Sequence, residues 1–501
     1  MLILPIWSRT NSILNYFPRV IGLERASYLF FFLAALLLRG VADLLVAPYP
    51  VGYETITWYA PLMMRFQAMS VLEVLTETFR VGTLFYMLMW FATVVSSAHA
   101  FTLLKVSGAV LYGCLAMAVF AFLRRGLRFE WKIAFVSSLL LVFQVATLRV
   151  SWDRFRTVLG LVFTFIAITV MKSDHRFKWP FLAGLAVLTT LSREYIALTL
   201  FVIVLGFAFL ERKERSMSFV ALAPALSMFA AMVHSTGLWE NYVSYGQFAV
   251  GNYLLTVRDT LSIFAVCYLP LLPFVLKGFR RDRLLDPFTG FLLVGSFSVA
   301  LCPWFAVPDY QRWLMLLVFP FSIYASLGFE GYNLFKRANF RKLISILLIF
   351  MAIGVGYSTG GFSYVGLVPN SYVAVNLVQS SIPWNQIDDV KDVLVWLDEN
   401  AMFNSSVLAE ERFYGWTLIY LERAYCDIEV VTYGATSMPW GALEKVLDDG
   451  SRWIYLIWYN DLDLENFSIV YSRNDVSVFQ YELSLANLTL NNQEIFLSSS
   501  S

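Results

Sequence analysis

The feature that most constrains this chain is an alternation, across residues 1–358, of charge-free apolar runs with short basic clusters. Residues 28–38, 106–123 and 343–356 contain no charged side chain. A bilayer core takes about 20 such residues as a helix. The chain is 58% hydrophobic with a mean hydropathy of +0.64, against roughly 45–50% apolar residues in a soluble protein. These runs predict an α-helical polytopic membrane protein.

The Lys and Arg residues of this region fall into six groups: Arg9/Arg19/Arg25, Arg124/Arg125/Arg128/Lys132, Lys172/Arg176/Lys178, Arg212/Lys213/Arg215, Lys277/Arg280/Arg281/Arg283 and Lys336/Arg337/Arg341/Lys342. Basic clusters mark the cytoplasmic side, so an even number of crossings must separate each group from the next. Apolar segments at 27–46, 102–123, 131–149, 157–171, 179–191, 195–210, 218–235, 259–277, 286–303, 312–330 and 342–358 supply this. The expectation is about eleven transmembrane helices, with the N-terminus (residues 1–26) cytoplasmic. Residues 27–358 form the membrane region. Its first external loop, 47–101, carries amphipathic or partly inserted helices rather than a further span, because a crossing at 85–95 would invert every later basic group. The first span is read as retained, since no small-residue cleavage site follows it. The short segments 179–191 and 195–210 read as tilted or broken helices meeting at 192–195.

A net charge of +1 hides an asymmetry: residues 358–501 carry 19 acidic against 6 basic side chains. An acidic tail after a basic membrane region predicts a small extracytoplasmic α/β domain over residues 359–501, with a helix at 388–400, another at 440–447, strands at 429–432 and 453–458, and a hairpin at 469–481 turning at SRND. The three Asn-x-Ser/Thr sequons, at Asn404, Asn466 and Asn487, all lie in it. No basic face is left for nucleic acid. The cysteines Cys114, Cys267, Cys302 and Cys426 show neither metal-ligand nor disulfide spacing. HExxH, P-loop, GxGxxG and GxSxG patterns are missing, which argues against ATPase, dinucleotide and serine-hydrolase chemistry. No cofactor is indicated, and a divalent metal is possible without being called for.

Candidate chemistry gathers at the predicted external ends of the spans. Arg39 and Asp43 end the first span, four residues apart, the spacing of a structural ion pair. Residues 46–59, VAPYPVGYETITWY, put Glu54 on a turn-rich loop among Tyr53, Trp58 and Tyr59. Asp153, Arg154 and Arg156 follow, then Arg193 and Glu194, Glu240 and Arg258, and Asp309 and Arg312. Several places thus bring an Arg and a carboxylate to one face. An Arg-rich external cavity suits an anionic substrate such as a phosphate, which guanidinium groups bind bidentately. A transporter or flippase with an external anion site, or a catalytically silent binding homologue, would share these features. Span-end charges without an internal repeat favour an enzyme.

Several stretches together resemble the GT-C superfamily of integral-membrane glycosyltransferases: LLLRGVADLLVAPYPVGYETITWY, LRVSWDRFRTVLGLVF, LSREYIALTLFV and DYQRWLMLLVFPFSIYASLGFE. The likeness covers most of the membrane region and looks closest to dolichyl-phosphate-sugar-dependent, mannosyltransferase-like members. A WWDYG motif is missing, and FYGW at 413–416 is a faint echo of it. The resemblance implies a polyprenyl-phosphate-linked sugar donor and a glycan, lipid or protein acceptor. It puts the family's first-loop acid on Glu54, where many members have Asp, with Asp43 the lesser candidate. Arg193 and Arg312 are the matching donor-phosphate positions, with Arg154, Arg156 and Arg39 behind them. Tyr53, Tyr59, Asp153, Glu194 and Asp309 complete the expected pocket.

Overall fold

The computed structural model describes residues 6–45, 48–237, 253–279, 282–302, 310–359, 380–403, 405–421, 428–433, 440–448, 453–459 and 467–482. Asp309, Glu240 and the three sequon asparagines lie outside the described residues. The chain divides into two units, Met1–Val51 with Phe66–Leu377, and Gly52–Arg65 with Val378–Ser501.

The first unit is helical. Each of the eleven apolar segments falls on helical structure: α1 (Ile6–Leu45), α5 (Ala100–Ala121), α6 and α7 (Trp131–Phe143, Val145–Asp153), α8 (Phe155–Met171), α9 (Lys178–Ser192), α10 (Glu194–Leu210), α11 (Arg215–Thr236), α12 and α13 (Tyr253–Tyr268, Leu272–Gly278), α14 (Leu285–Leu301), α15 and α16 (Tyr310–Leu316, Val318–Gly331), and α17 (Phe340–Ser358). Among the described residues, six helical stretches are long and apolar enough to cross a membrane, or seven if the bent α6–α7 pair is one span. The others are shorter. Gln144 accounts for the 58° bend: its Oε1 accepts from the Val145 amide and its Nε2 donates to the Cys267 carbonyl, so the side chain stands in for the interrupted helical ladder. Helices α13 and α16 cross at Gly278 and Gly328, where an added Cβ would strike the facing backbone at Tyr324 and Phe274. Close helix contact of this kind needs small residues.

Between α1 and α5 lie α2 (Ala60–Gln67, in the second unit but for its last two residues), α3 (Val71–Val81) and α4 (Leu84–Ser96). Ser70 and Glu73 cap α3 reciprocally, satisfying two amides that the helix start leaves open. The Ser70 backbone amide, then its hydroxyl, hold the Glu73 carboxyl below its ordinary range. Helix α3 keeps Val74 and Thr78 buried while Leu72, Leu75 and Phe79 stand exposed along the other side, the two-faced pattern expected of this loop. Gly82 ends α3 with φ +70°, a left-handed position that glycine takes without strain.

Polar contacts sort the first unit into two ends. At one, Glu24 beside Arg25 pairs with Arg124 (3.4 Å) and Arg125 (3.7 Å). Arg128 faces Asp174 at 3.8 Å, Lys178 binds Glu214 at 2.6 Å, and Lys277 lies 5.8 Å from the Tyr332 ring. These contacts join the first four basic groups to one another and the last two to each other. The opposite end carries Arg39, Asp43, Arg156, Arg193, Glu194 and Arg312.

The second unit holds a five-stranded sheet of order β2-β1-β3-β5-β4, made of β1 (Ser405–Glu410), β2 (Ile428–Tyr433), β3 (Trp453–Tyr459), β4 (Ser468–Arg473) and β5 (Val476–Glu482). Strands β2, β1 and β3 are parallel, and β5 is antiparallel to β3 and β4. Helices α18 (Ile387–Asn400), α19 (Glu411–Tyr420) and α20 (Trp440–Asp448) complete it. In α18 the expected stripe Val390, Val393, Leu394 and Leu397 is wholly buried. Asn474, with φ 48°, turns the β4–β5 hairpin at the predicted SRND. Strand β1 and helix α19 went unforeseen, and β1 is an interior strand, paired on both sides by β2 and β3.

Candidate active site

The break between α9 and α10 is the centre of the cluster at the end opposite the basic groups. Arg193 is extended there (φ −161°, ψ 126°), so one helix stops at Ser192 and the next starts at Glu194. The interruption exposes backbone groups that an unbroken helix would satisfy internally. Arg156, in the first turn of α8, meets them. Its Nε donates to the Ser192 carbonyl (3.1 Å), and its Nη2 donates to the Gly82 carbonyl (2.8 Å) and to that of Val81 (3.3 Å). One guanidinium thus ties the end of α3 to the end of α9.

Glu194 draws the charges of this end together. It is buried, and its carboxylate lies 3.3 Å from Arg193 Nε and 3.8 Å from Arg156 Nη2. Arg312 is a third guanidinium within its electrostatic reach. Packing explains how α15 delivers it: Trp313 meets Tyr195 with ring centroids 5.6 Å apart, and Arg193 also lies over Tyr195 at 5.3 Å. Of the phosphate-binding candidates, Arg193, Arg156 and Arg312 therefore meet around one carboxylate.

The other candidates separate into groups. Asp153 and Arg154 sit buried at the α7–α8 break, where Arg154 leaves helical geometry (φ −135°, ψ 53°), and Asp153 pairs with Arg149 one turn earlier. Arg39 and Asp43 form a buried ion pair. Asp43 Oδ1 also accepts from the Val51 amide at 2.9 Å, and Arg39 Nη2 donates to the Val51 carbonyl at 3.5 Å. This pair fixes the chain where it leaves α1 for the first loop. Gly108 lets Arg39 pack closely: a Cβ there would stand 3.2 Å from Arg39 Nη2 and 2.8 Å from the Phe155 ring.

Glu54 belongs to the second unit. It is half-buried and precedes a π-helical turn, Thr55–Tyr59. That turn packs on α19, where Gly415 has no room for a Cβ against the Thr57 backbone and the Ile56 carbonyl, and Trp58 meets Tyr414 at 6.0 Å. Thr57 donates to the Tyr53 carbonyl at 2.9 Å, and Tyr59 is buried while Tyr53 is half-buried. The first-loop segment is thus built into the C-terminal unit, a pairing with no mark in the sequence beyond FYGW.

Two buried charged residues, one base and one acid, carry no role in the sequence-based expectations. Arg149 appeared only as part of a motif, although its i,i+4 spacing to Asp153 signals a helical pair. Asp259, on α12, is buried and its Oδ2 accepts from the Tyr310 hydroxyl (2.7 Å) and from Gln311 Nε2 (2.8 Å). A carboxylate opening an apolar run is itself a signal, and it was passed over for its neighbour Arg258. Asp259 anchors the start of α15, one residue from Arg312. Among the described residues, no three His, Cys, Asp or Glu side chains group closely enough to hold a metal ion.

No protein-family model and no curated protein matches this sequence. Among solved structures, the chain is similar to the arabinofuranosyltransferase AftD from Mycobacteria, at 9% sequence identity and a TM-score of 0.49. The match covers 91% of this chain but only 40% of that enzyme's length.

Proposed function

We propose that this chain is a membrane glycosyltransferase that moves a sugar from a polyprenyl-phosphate-linked donor to an acceptor hydroxyl on the extracytoplasmic face. The observation that carries the reading is the meeting of Arg193, Arg156 and Arg312 around the buried Glu194, at the end opposite the six basic groups. By the positive-inside rule that end faces away from the cytoplasm.

In this reading Glu54 accepts the proton of the acceptor hydroxyl as its oxygen attacks the anomeric carbon. The bond from that carbon to the phosphate oxygen breaks, configuration inverts, and the electron pair leaves with the lipid phosphate. Arg193 and Arg312 stabilise the charge that develops on it, with Arg154 in support. Arg156, whose donors hold three carbonyls, keeps the α9–α10 break in shape, and Glu194 orients the arginines beside it. Asp259 positions Arg312 through Tyr310 and Gln311. Arg39 and Asp43 anchor the loop that leads to Glu54, which gives Asp43 a structural part rather than that of the base. Tyr53 and Tyr59 flank Glu54 within its own unit as aromatic neighbours.

Glu54→Gln tests the assignment. With a radiolabelled polyprenyl-phosphate sugar in proteoliposomes, the variant is expected to lose transfer by about 10²–10⁴-fold while retaining donor binding. Undiminished transfer would remove Glu54 from the mechanism. Labelled lipid crossing the bilayer without glycosylated product would replace the transferase by a flippase.

A further inference from the structure

At the basic end of the first unit, four connections line an open cavity of about 330 Å³, within the roughly 300–1,000 Å³ of small-ligand sites. Its wall comes from residues 126–128 after α5, 171–174 and Lys178 between α8 and α9, Glu211 and Glu214 after α10, and Asp282 and Leu284 before α14. Every one of these is the end of an apolar helix, where lipid gives way to water. The wall has a floor of Met171, Phe207 and Leu284 and a rim of both charge signs.

Pairing leaves the rim polarised. Lys178 is neutralised by Glu214 at 2.6 Å. Among the described residues Arg128 pairs only with Asp174 at 3.8 Å, both side chains well exposed, which is a weak interaction. Lys172 makes no ion pair among the described residues; its ammonium lies 5.1 Å from the Phe207 ring. Glu211 likewise has no basic partner there. One Oδ of Asp282 accepts from the Leu284 amide at 2.9 Å, leaving its second oxygen for a ligand. A free anion would meet Glu211 and Asp282, and a free cation would meet Lys172 and Arg128. The rim matches a ligand carrying both charges a short distance apart, above an apolar stem.

We propose that this cavity binds the headgroup of an aminophospholipid, phosphoethanolamine at the membrane surface. Its phosphate lies against Lys172 and Arg128, its primary ammonium donates to Glu211 and Asp282, and its glycerol end rests on Met171, Phe207 and Leu284. The ammonium is the discriminating group, since a choline headgroup carries the same charges but donates no hydrogen bond. The site is separate from the transferase reading and stands or falls without it.

The full chain, released from bilayers of equal parts phosphatidylethanolamine, phosphatidylcholine and phosphatidylglycerol with matched acyl chains, reports bound lipid by native mass spectrometry. Retention of phosphatidylethanolamine over phosphatidylcholine by about tenfold is expected from charge-assisted hydrogen bonds. Glu211→Gln with Asp282→Asn is expected to abolish that preference, and Lys172→Met to lower both lipids together because both carry the phosphate. Thermal unfolding of each variant monitors the fold. Equal retention of the two lipids by the unaltered chain, a preference that survives loss of both carboxylates, or retention of phosphatidylglycerol above both would each overturn the assignment.

Discussion

The two ends of the helical unit use charge in opposite ways. At the basic end, cations lean on aromatic rings: Arg125 on Tyr28, Lys172 on Phe207, Arg176 on Phe177, Lys178 on Trp179, Arg215 on Phe209 and Lys277 on Tyr332, at 4.5–5.8 Å. Apart from Lys178, which Glu214 pairs with, these are long side chains with apolar stems and solvated heads, as expected where helices leave a bilayer. At the other end, the arginines are largely or wholly buried and committed to carboxylates and carbonyls, as in Arg39–Asp43, Arg149–Asp153 and Arg156 with Ser192 and Gly82. Burying a charge is costly unless it is paired. The first end therefore tolerates substitution one residue at a time, and the second does not. Among the described residues of the helical unit, charged side chains that are buried outright occur at this second end only.

The largest expected effect breaks a buried pair. Asp43→Ala leaves the Arg39 guanidinium unpaired in the interior and the Val51 amide without its acceptor. A loss of roughly 3–5 kcal/mol in stability is expected, read as thermal unfolding in detergent. Arg39→Met with Asp43→Leu removes both charges and is expected to recover most of that loss. If the single variant unfolds like the parent, the pair is no anchor and the contrast between the ends weakens. A smaller effect is expected at Arg156→Lys. An ammonium cannot reach three carbonyls in the geometry of the guanidinium fork, and a buried acceptor left unsatisfied costs about 1–3 kcal/mol. Under the proposed function the same variant should raise the KM for a polyprenyl-phosphate sugar more than it lowers kcat, because Arg156 supports the proposed phosphate-binding arginines and not the proposed base. A loss of kcat alone would move Arg156 from support into the chemistry.

How much of this was legible beforehand follows the same divide. Charge-free runs are local signals, so every apolar segment lies on helical structure. The α9–α10 break at Arg193 was visible as two apolar runs too short to stand alone. Strand β1 was not, because Ser405–Glu410 is buried along its whole length and has no alternation to read. The union of Gly52–Arg65 with the C-terminal unit was equally hidden. It depends on Gly415 admitting the Thr57 backbone, a contact between residues more than 350 positions apart. Asp259 shows a third kind of miss: a single acid at the start of an apolar run is legible, but its ligands Tyr310 and Gln311 come from a distant helix.

The smallest expected effect tests the tolerant end. Arg128 and Asp174 are 3.8 Å apart with side chains 73% and 97% exposed, so water screens the attraction and ordering two mobile side chains offsets much of it. Arg128→Ala is expected to shift stability by no more than about 0.5 kcal/mol, inside the scatter of a careful unfolding series. It is also expected to leave sugar transfer unchanged, since Arg128 stands at the end away from Arg193 and Arg312. Orientation gives this variant a second readout. Arg128 is one of several cations in its group, and topology follows the summed Lys and Arg of a short loop. Protease accessibility of the tail in sealed vesicles is therefore expected to match the parent. A loss as large as that of Asp43→Ala would mean that Arg128 is held by more than Asp174, and that charges at the two ends are not handled differently after all.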